Sequence, residues 1–229
     1  MTTLPTELHT TAGDVPLHEF RTTLGGRVYT ILHTGAVLTF LDEQLLLNER
    51  ETRLPYGFAL WPSAIALAHE IAARAGEAGG RHVLELGSGT GLPGIVAASL
   101  GARVVQTDKQ SAALHLCRLN GERNEVTGVD YRLADWAAWD DRTRYDWIIG
   151  ADILYAKAMH EHLARIFDAN LAPGGRVLLA DPFRKASLAL LESLESQGWT
   201  ASIAKWTVGE ASEPATVGVY ELSRRAEQR

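Results

Sequence analysis

Short apolar runs alternate with helix-length segments from residue 82 to the end of the chain. The runs at 83–84, 104–105, 147–149 and 177–179 are apolar at every position, which is typical of parallel strands buried on both faces of a sheet. Alternation of strands and helices over short connections predicts a doubly wound α/β sheet. Its seven strands are expected at 82–86, 103–107, 129–133, 145–149, 176–180, 199–208 and 216–222. Helices are expected from Pro62 onward and at 93–100, 111–123, 157–171 and 186–197.

The two ends of the chain follow a different pattern. No helix-length segment separates the last two strands, so we expect them to pair as an antiparallel hairpin at one edge of the sheet. Residues 1–20 have no sustained hydrophobic period and are expected to form a loose lead-in. A strand at 28–32, with shorter strands at 36–40 and 44–47, predicts a small β-ribbon. We therefore divide the chain into a lead-in with ribbon (1–54) and a main domain (55–229).

Charge and cysteine content limit the possible partners. The net charge of −6 disfavours diffuse binding to nucleic acid or to an anionic membrane. The single cysteine, Cys117, permits no intrachain disulfide, and none of the eight histidines forms a helical zinc pair with a glutamate, so no metal is expected. No basic segment leads into an apolar run at the N-terminus, and no window approaches 18 uninterrupted apolar residues. We expect a soluble, cytoplasmic, monomeric protein.

The segment 83–91 is the most informative for function. A buried strand leads into glycines at alternate positions (Gly87, Gly89 and Gly91), and Pro93 then opens a helix. Glycine lets a backbone turn sharply and approach a ligand with no Cβ in the way. Ligands of open α/β sheets lie beyond the carboxyl ends of the strands, where this loop falls. The pattern therefore predicts a ligand-binding loop.

The next strand ends on a carboxylate that fits a nucleoside. Asp108 follows Gly87 by 21 residues, and an acidic side chain at this place can accept hydrogen bonds from both ribose hydroxyls. A dinucleotide motif would place its third glycine at Leu92, and no Gly-Lys-Ser/Thr follows. The spacing therefore excludes a dinucleotide fingerprint and a P-loop.

Together these residues resemble the nucleotide-binding motif of the seven-strand, Rossmann-like methyltransferases that use S-adenosylmethionine. Three further segments are similar to the branch that contains the protein-lysine methyltransferases of chaperones, elongation factors and electron-transfer flavoprotein. They are Gly-Phe-Ala-Leu-Trp-Pro-Ser at 57–63, Asp135-Trp136, and Gly-Ala-Asp-Ile-Leu-Tyr at 150–155. The resemblance covers about residues 55–182.

The resemblance implies S-adenosylmethionine as cofactor and a role for each motif residue. Glu85 and the Gly87–Gly91 loop with Ser88 would hold the amino-acid end of the cofactor. Asp108 would bind the ribose, with Lys109 and Gln110 beside it. Asp135 and Trp136 would bind the adenine. Trp61 would cover the methionine end, and Ala151 would contribute a backbone contact. Taken alone, both tryptophans are more simply explained by core packing.

The Asp152–Tyr155 segment bears on the chemistry. A lysine amine has an ordinary pKa of about 10.4 and must lose its proton before it attacks, while a nearby carboxylate favours the charged form. Asp152 is therefore assigned as an orienting acceptor rather than a strong base, with helix capping as its structural alternative. Tyr155 would form a wall of the lysine channel. Ile153 and Leu154 replace the two prolines typical of enzymes that methylate nucleic-acid bases or glutamine, which argues against those substrates.

Three functions remain open from the sequence. The first is methyl transfer to a lysine of a protein substrate, and the second is methylation of a small heterocyclic amine. The third is a catalytically silent module that binds the cofactor and a partner. The segment 181–184 is interpreted as a turn containing a proline, in preference to part of the substrate entrance.

Overall fold

A computed structural model describes residues 6–10, 13–35, 56–209 and 214–225. The strands expected at 36–40 and 44–47 lie outside the described residues. Four N-terminal strands come first: β1 (Glu7–Thr10), β2 (Gly13–Pro16), β3 (His18–Leu24) and β4 (Arg27–His33). The strands of the main sheet are β5 (His82–Leu86), β6 (Arg103–Asp108), β7 (Val129–Leu133), β8 (Tyr145–Ala151), β9 (Leu171–Asp181), β10 (Trp199–Val208) and β11 (Ala215–Arg224).

The seven strands of the main sheet lie in the order β10-β11-β9-β8-β5-β6-β7. The five strands from β5 to β9 run parallel, and β11 pairs antiparallel with both β9 and β10. This confirms the doubly wound sheet and the antiparallel terminal hairpin. Strands β6 and β7 are added on one side of β5, and β8 and β9 on the other side. The strand order therefore reverses at β5, and the crevice beyond its carboxyl end is the switch point where such sheets bind ligands.

Helices cover both faces of the sheet. They are α1 (Pro62–Ala73), α2 (Ala75–Ala78), α3 (Leu92–Ser99), α4 (Ser111–Arg123), α5 (His160–Asn170) and α6 (Lys185–Ser196). Successive residues of β5 point to opposite sides: Val83 packs with α1 and α3, whereas Leu84 packs with α5 and α6. The continuous apolar runs thus supply two cores, as expected for strands buried on both faces. The helix expected at 157–171 begins with a 3-10 turn at Lys157–Met159 and ends one residue earlier, where β9 starts.

The prediction of a loose lead-in is wrong for the described residues 6–10 and 13–20, which are mostly in strands. Strands β1 and β2 pair with each other, and β3 pairs with β4 across the turn at Gly25 and Gly26. Leu24 and Tyr29 of this hairpin are buried in the core cluster that includes α1 and α3, and the Tyr29 hydroxyl forms a 2.6 Å hydrogen bond with Ser99 Oγ of α3. Strands β1, β2 and β3 are short and largely polar. The sequence therefore carried no clear period to reveal them.

Asn120 of α4 and Asn124, which follows the last residue of that helix, attach the hairpin to the main domain. Asn120 accepts a hydrogen bond from Leu32 N (2.7 Å) and donates from Nδ2 to Leu32 O (3.0 Å) and Thr90 O (2.8 Å). Asn124 makes the same pair of bonds with the N–H and C=O of Thr30. Both amides thus satisfy backbone groups of β4 as a neighbouring strand would. Within the described ranges, no helix is long and apolar enough to cross a membrane.

Candidate functional site

The sequence-predicted site residues gather at one edge of the sheet. The carboxyl ends of five parallel strands meet there, and each strand is followed by a predicted site segment or, after β9, by the turn at 181–184. The segments are the Gly87–Gly91 loop after β5, Asp108 to Gln110 after β6, Asp135 and Trp136 after β7, and Ala151 to Tyr155 at the end of β8. Topology therefore brings together residues that are far apart in the chain.

All three glycines of the loop adopt a left-handed backbone, with φ of 63° at Gly87, 53° at Gly89 and 80° at Gly91. A Cβ on Gly91 would lie 2.8 Å from Gln106 Nε2 and 3.0 Å from Cys117 Sγ. A Cβ on Gly89 would lie 3.1 Å from the carbonyl oxygen of Gly57. The loop therefore requires glycine for its dihedral angles and for the close approach of its neighbours.

Glu85 supports this loop from beneath. Glu85 is 2% exposed, and its carboxylate accepts hydrogen bonds from Gly94 N (3.2 Å) and Gln106 Nε2 (2.6 Å). Gln106 Nε2 also donates to Gly91 O. Burial raises the pKa of Glu85 to about 7, and the hydrogen bond from Gln106 opposes that rise. Its side chain faces inward between the loop and α3. Direct contact with a cofactor, which the resemblance implied, stays a prediction.

Asp108 is joined to the glycine loop and retains acceptor capacity. Its carboxylate is nearly buried and accepts from Gly89 N (3.2 Å) and Gln110 N (2.9 Å). Burial raises its pKa, and these backbone N–H groups oppose the rise. A carboxylate offers about four lone-pair positions, so each oxygen can accept one more hydrogen bond. The arrangement fits two adjacent hydroxyl groups. Ser88 is buried, and its N–H and hydroxyl both donate to Thr107 O; Lys109 is exposed.

The aromatic residues border the same loop. Trp136 is half-buried, and a Cβ on Gly87 would lie 3.2 Å from its Cζ2 atom. Asp135 precedes it, is exposed, and accepts a hydrogen bond from Ala137 N to cap a 3-10 turn. Trp61 is half-buried at the start of α1, in the segment whose Gly57 crosses Gly89. Contacts of these three side chains with a cofactor stay predictions.

Asp152 has an unusual backbone and a buried carboxylate. Its φ is 54°, and its N–H donates to Ala180 O at 3.0 Å. Its Oδ1 accepts from Arg184 Nη1 at 2.7 Å. Its Oδ2 is buried with no hydrogen-bond partner among the described residues. Burial raises the pKa of Asp152 to about 6, against the effect of the Arg184 charge.

The helix-capping alternative for Asp152 is wrong. The N-cap position of the 3-10 turn that follows is Ala156, and the N-cap position of α5 is Met159. Ile153 and Leu154 point into the core, and Ile153 Cγ2 would lie 3.0 Å from a Cβ on Gly87. Tyr155 points outward and is 63% exposed. The segment therefore rests directly on the glycine loop while presenting Tyr155 at the rim.

Arg184 is the site residue that sequence reasoning missed. The turn expected at 181–184 is confirmed, because Arg184 N donates to Asp181 Oδ1 at 2.7 Å. The turn also places the Arg184 guanidinium between Asp181 and Asp152. The available signal was an acidic residue ending a buried strand, with an arginine three residues later. Among the described residues, no cluster of His, Cys, Asp or Glu is suited to hold a metal ion.

Comparisons with known proteins agree with this geometry. A protein-family model described as lysine methyltransferase matches residues 40–196. The chain is 30% identical to protein N-lysine methyltransferase METTL21A of Xenopus tropicalis over 58% of this chain and 64% of that protein. It is 32% identical to METTL21A of Danio rerio over 64% of this chain and 69% of that protein. The match thus spans about two thirds of each relative.

A solved structure supports the fold. The precorrin-6y C5,15-methyltransferase of Geobacter metallireducens superposes with a TM-score of 0.59 at 17% identity. The superposition covers 70% of this chain and 87% of that one.

Proposed function

The chain belongs to the lysine methyltransferase family, and from this premise we propose that it transfers a methyl group from S-adenosylmethionine to a lysine side chain of a protein. The observation that carries the proposal is the contact between two loops. Ile153, beside Asp152, packs against Gly87 of the loop assigned to the cofactor. A donor bound at one loop and an acceptor bound at the other would therefore be neighbours.

The described residues fit the cofactor. Asp108 has acceptor capacity for two ribose hydroxyls, and the glycine loop gives close backbone approach at the carboxyl end of β5. Trp136 would lie against the adenine, and Trp61 near the methionine end. When bound, S-adenosylmethionine supplies a methyl group already activated by its sulfonium sulfur, so alignment and exclusion of water matter most.

Asp152 would orient the acceptor amine. Arg184 occupies its Oδ1, which leaves the buried Oδ2 to accept one N–H of the incoming amine. Ile153 and Leu154, which follow it in the chain, are buried, and their apolar side chains would help to exclude water from this part of the site. Desolvation lowers the pKa of a lysine amine and so favours the neutral form that can attack.

A protein is favoured as acceptor by the exposure of the rim. Tyr155 projects into solvent and would flank the aliphatic part of a lysine that enters from another molecule. The net charge of −6 is unsuited to a nucleic-acid substrate. We further propose that the protein is a cytoplasmic monomer, with residues 55–229 as the catalytic domain.

Labelled S-adenosylmethionine and a lysate from a strain that lacks the gene would test this function. We expect a labelled protein band whose acid hydrolysate contains methyl-lysine. Asp152→Asn should reduce incorporation at least tenfold, the effect of losing a hydrogen bond to a charged group. Asp130→Asn, at an exposed position of β7, should leave it unchanged. Label found only in a small molecule, or only in methyl-arginine, would contradict the proposal.

A further inference from the structure

We propose that Arg184 and Asp181 are positioning residues that together fix the orientation and the charge of the Asp152 carboxylate for the acceptor amine. The inference rests on the proposed function for its biological meaning. The arrangement of the three side chains is independent of that function. Neither partner belongs to a motif that the family resemblance assigned a role: Asp181 ends β9, and Arg184 follows it by three residues.

One guanidinium nitrogen joins the two carboxylates. Arg184 Nη1 lies 2.7 Å from Asp152 Oδ1 and 2.8 Å from Asp181 Oδ2. The side chain of Asp181 is fully buried, that of Asp152 is 8% exposed, and that of Arg184 is 19% exposed. At this depth, loss of the shared cation would leave two buried carboxylates facing each other. Arg184 therefore sets the electrostatics of the whole cluster.

The backbone holds the cluster in place. Asp152 N–H donates to Ala180 O, which fixes the end of β8 against β9, and Arg184 N–H closes the turn on Asp181 Oδ1. Asp152 and Phe183 both have a left-handed backbone, with φ of 54° and 64°. Such conformations are unfavourable in residues other than glycine and persist where the surroundings enforce them. The strain lies on both sides of the ion pair, as expected where orientation matters.

An unsatisfied acceptor marks the side on which a ligand would bind. Arg184 engages Oδ1 of Asp152, while Oδ2 is buried with no hydrogen-bond partner in the described part of the chain. Ser63 of α1 faces this carboxylate and favours its charged form. The open Oδ2 is an acceptor that an N–H of an incoming amine would satisfy. Arg184 thus orients the carboxylate so that the open oxygen faces the substrate.

The two partners affect the charge of Asp152 in opposite directions. Burial raises the pKa of Asp152, the positive charge of Arg184 lowers it, and the negative charge of Asp181 raises it. Within the described ranges, Asp181 at the end of β9 and Arg184 just after it are the charged groups that face Asp152. Ser63 faces it from α1 and is uncharged. Removing the Arg184 charge should therefore raise the pKa of Asp152, and removing the Asp181 charge should lower it.

Carbon-13 NMR of protein labelled at the aspartate carboxyl carbons would test this directly, with the Asp152 signal assigned by its absence in Asp152→Asn. The wild-type signal should titrate near pH 6. Arg184→Gln should raise the midpoint, and Asp181→Asn should lower it, each by at least about one pH unit. Arg184→Lys keeps the charge and should stay closer to wild type than Arg184→Gln. Shifts of the same sign, or none, would overturn the proposal.

Methyl incorporation into lysate protein between pH 5.5 and 9 provides the functional readout. The acid limb of the pH–rate profile should move to higher pH in Arg184→Gln and to lower pH in Asp181→Asn, in parallel with the NMR midpoints. General loss of structure cannot produce movements of opposite sign. If Arg184→Gln does not fold, Arg184→Lys and Asp181→Asn retain the test. Opposite NMR shifts without any methylation would refute the proposed function and leave the charge relationship intact, whereas methylation with unshifted limbs would refute the positioning role.

Discussion

Glu85→Gln should be less stable than the wild type at low pH and more stable than the wild type at high pH. Glu85 is an acid whose pKa rises on folding from 4.5 to about 7, because burial penalises its charged form. The folded state therefore retains a proton that the unfolded state loses. The contribution to stability is fully present below pH 4.5 and is lost as pH rises through 7. Each unit of pKa corresponds to about 1.36 kcal/mol, so the loss between pH 5 and 8 is about 2 to 3 kcal/mol.

Glutamine has almost the same shape and does not ionise. It offers one acceptor oxygen where the carboxyl group meets two donors, Gly94 N–H and the amide of Gln106. One mismatched hydrogen bond costs about 0.5–1.5 kcal/mol. At pH 5 the wild type should therefore be more stable by about 1 kcal/mol. At pH 8 the Glu85→Gln variant should be more stable by about 1 to 2 kcal/mol.

Urea unfolding followed by tryptophan fluorescence at half-unit steps of pH would measure this difference. Glu192→Gln, on the exposed side of α6, is the matched control and should differ from wild type by less than about 0.5 kcal/mol at every pH. A stability difference between Glu85→Gln and wild type that does not change with pH would refute the reasoning. A stability difference that shifts toward the wild type as pH rises would also refute it.

Two further substitutions test the packing around the site. Gly91→Ala should cost about 2 to 4 kcal/mol in urea unfolding, because the new methyl group meets Gln106 and Cys117 in a left-handed backbone. Gly174 also has a positive φ, but a Cβ added there would have no atom within 4 Å, so Gly174→Ala should cost only about 1 kcal/mol. Equal losses of stability in the two variants would contradict this account. Asn120→Ala should cost about 2 to 4 kcal/mol and speed amide hydrogen exchange in β4, since Leu32 loses both of its partners. Unchanged exchange in β4 would exclude this attachment.

The strands and their loops followed well from sequence because their signal is local. The apolar runs of β5 and β8 mark strands buried on both faces, and parallel strands place their following loops at one edge whatever the details of packing. The positions of the Gly87–Gly91 loop, Asp108 and Asp152 are consequences of that rule. The Gly87–Gly91 loop could be recognised because glycine is the residue that its backbone angles demand.

The remaining features depend on contacts between distant segments. The ion pair of Arg184 with Asp152 joins residues 32 positions apart, and the local pattern at 181–184 does not identify Asp152 as the partner. Glu85 belongs to the ligand-binding motif by resemblance, yet its side chain is directed beneath the loop by Gln106, which is 21 positions away. Strand β4 was expected at 28–32, but β1 to β3 were missed, because contacts such as those of Asn120 and Asn124 with β4, rather than an apolar period, hold the hairpin in place.

The central claim is that the glycine loop and Asp108 bind S-adenosylmethionine. Calorimetric titration with the demethylated product, S-adenosylhomocysteine, tests it without any knowledge of the acceptor. We predict saturable one-to-one binding by the wild type and by Asp130→Asn. Asp108→Asn should bind at least tenfold more weakly, because hydrogen bonds to a charged group contribute about 1.5–3 kcal/mol. Absence of binding heat with the folded wild type, or equal affinity in Asp108→Asn, would contradict the account.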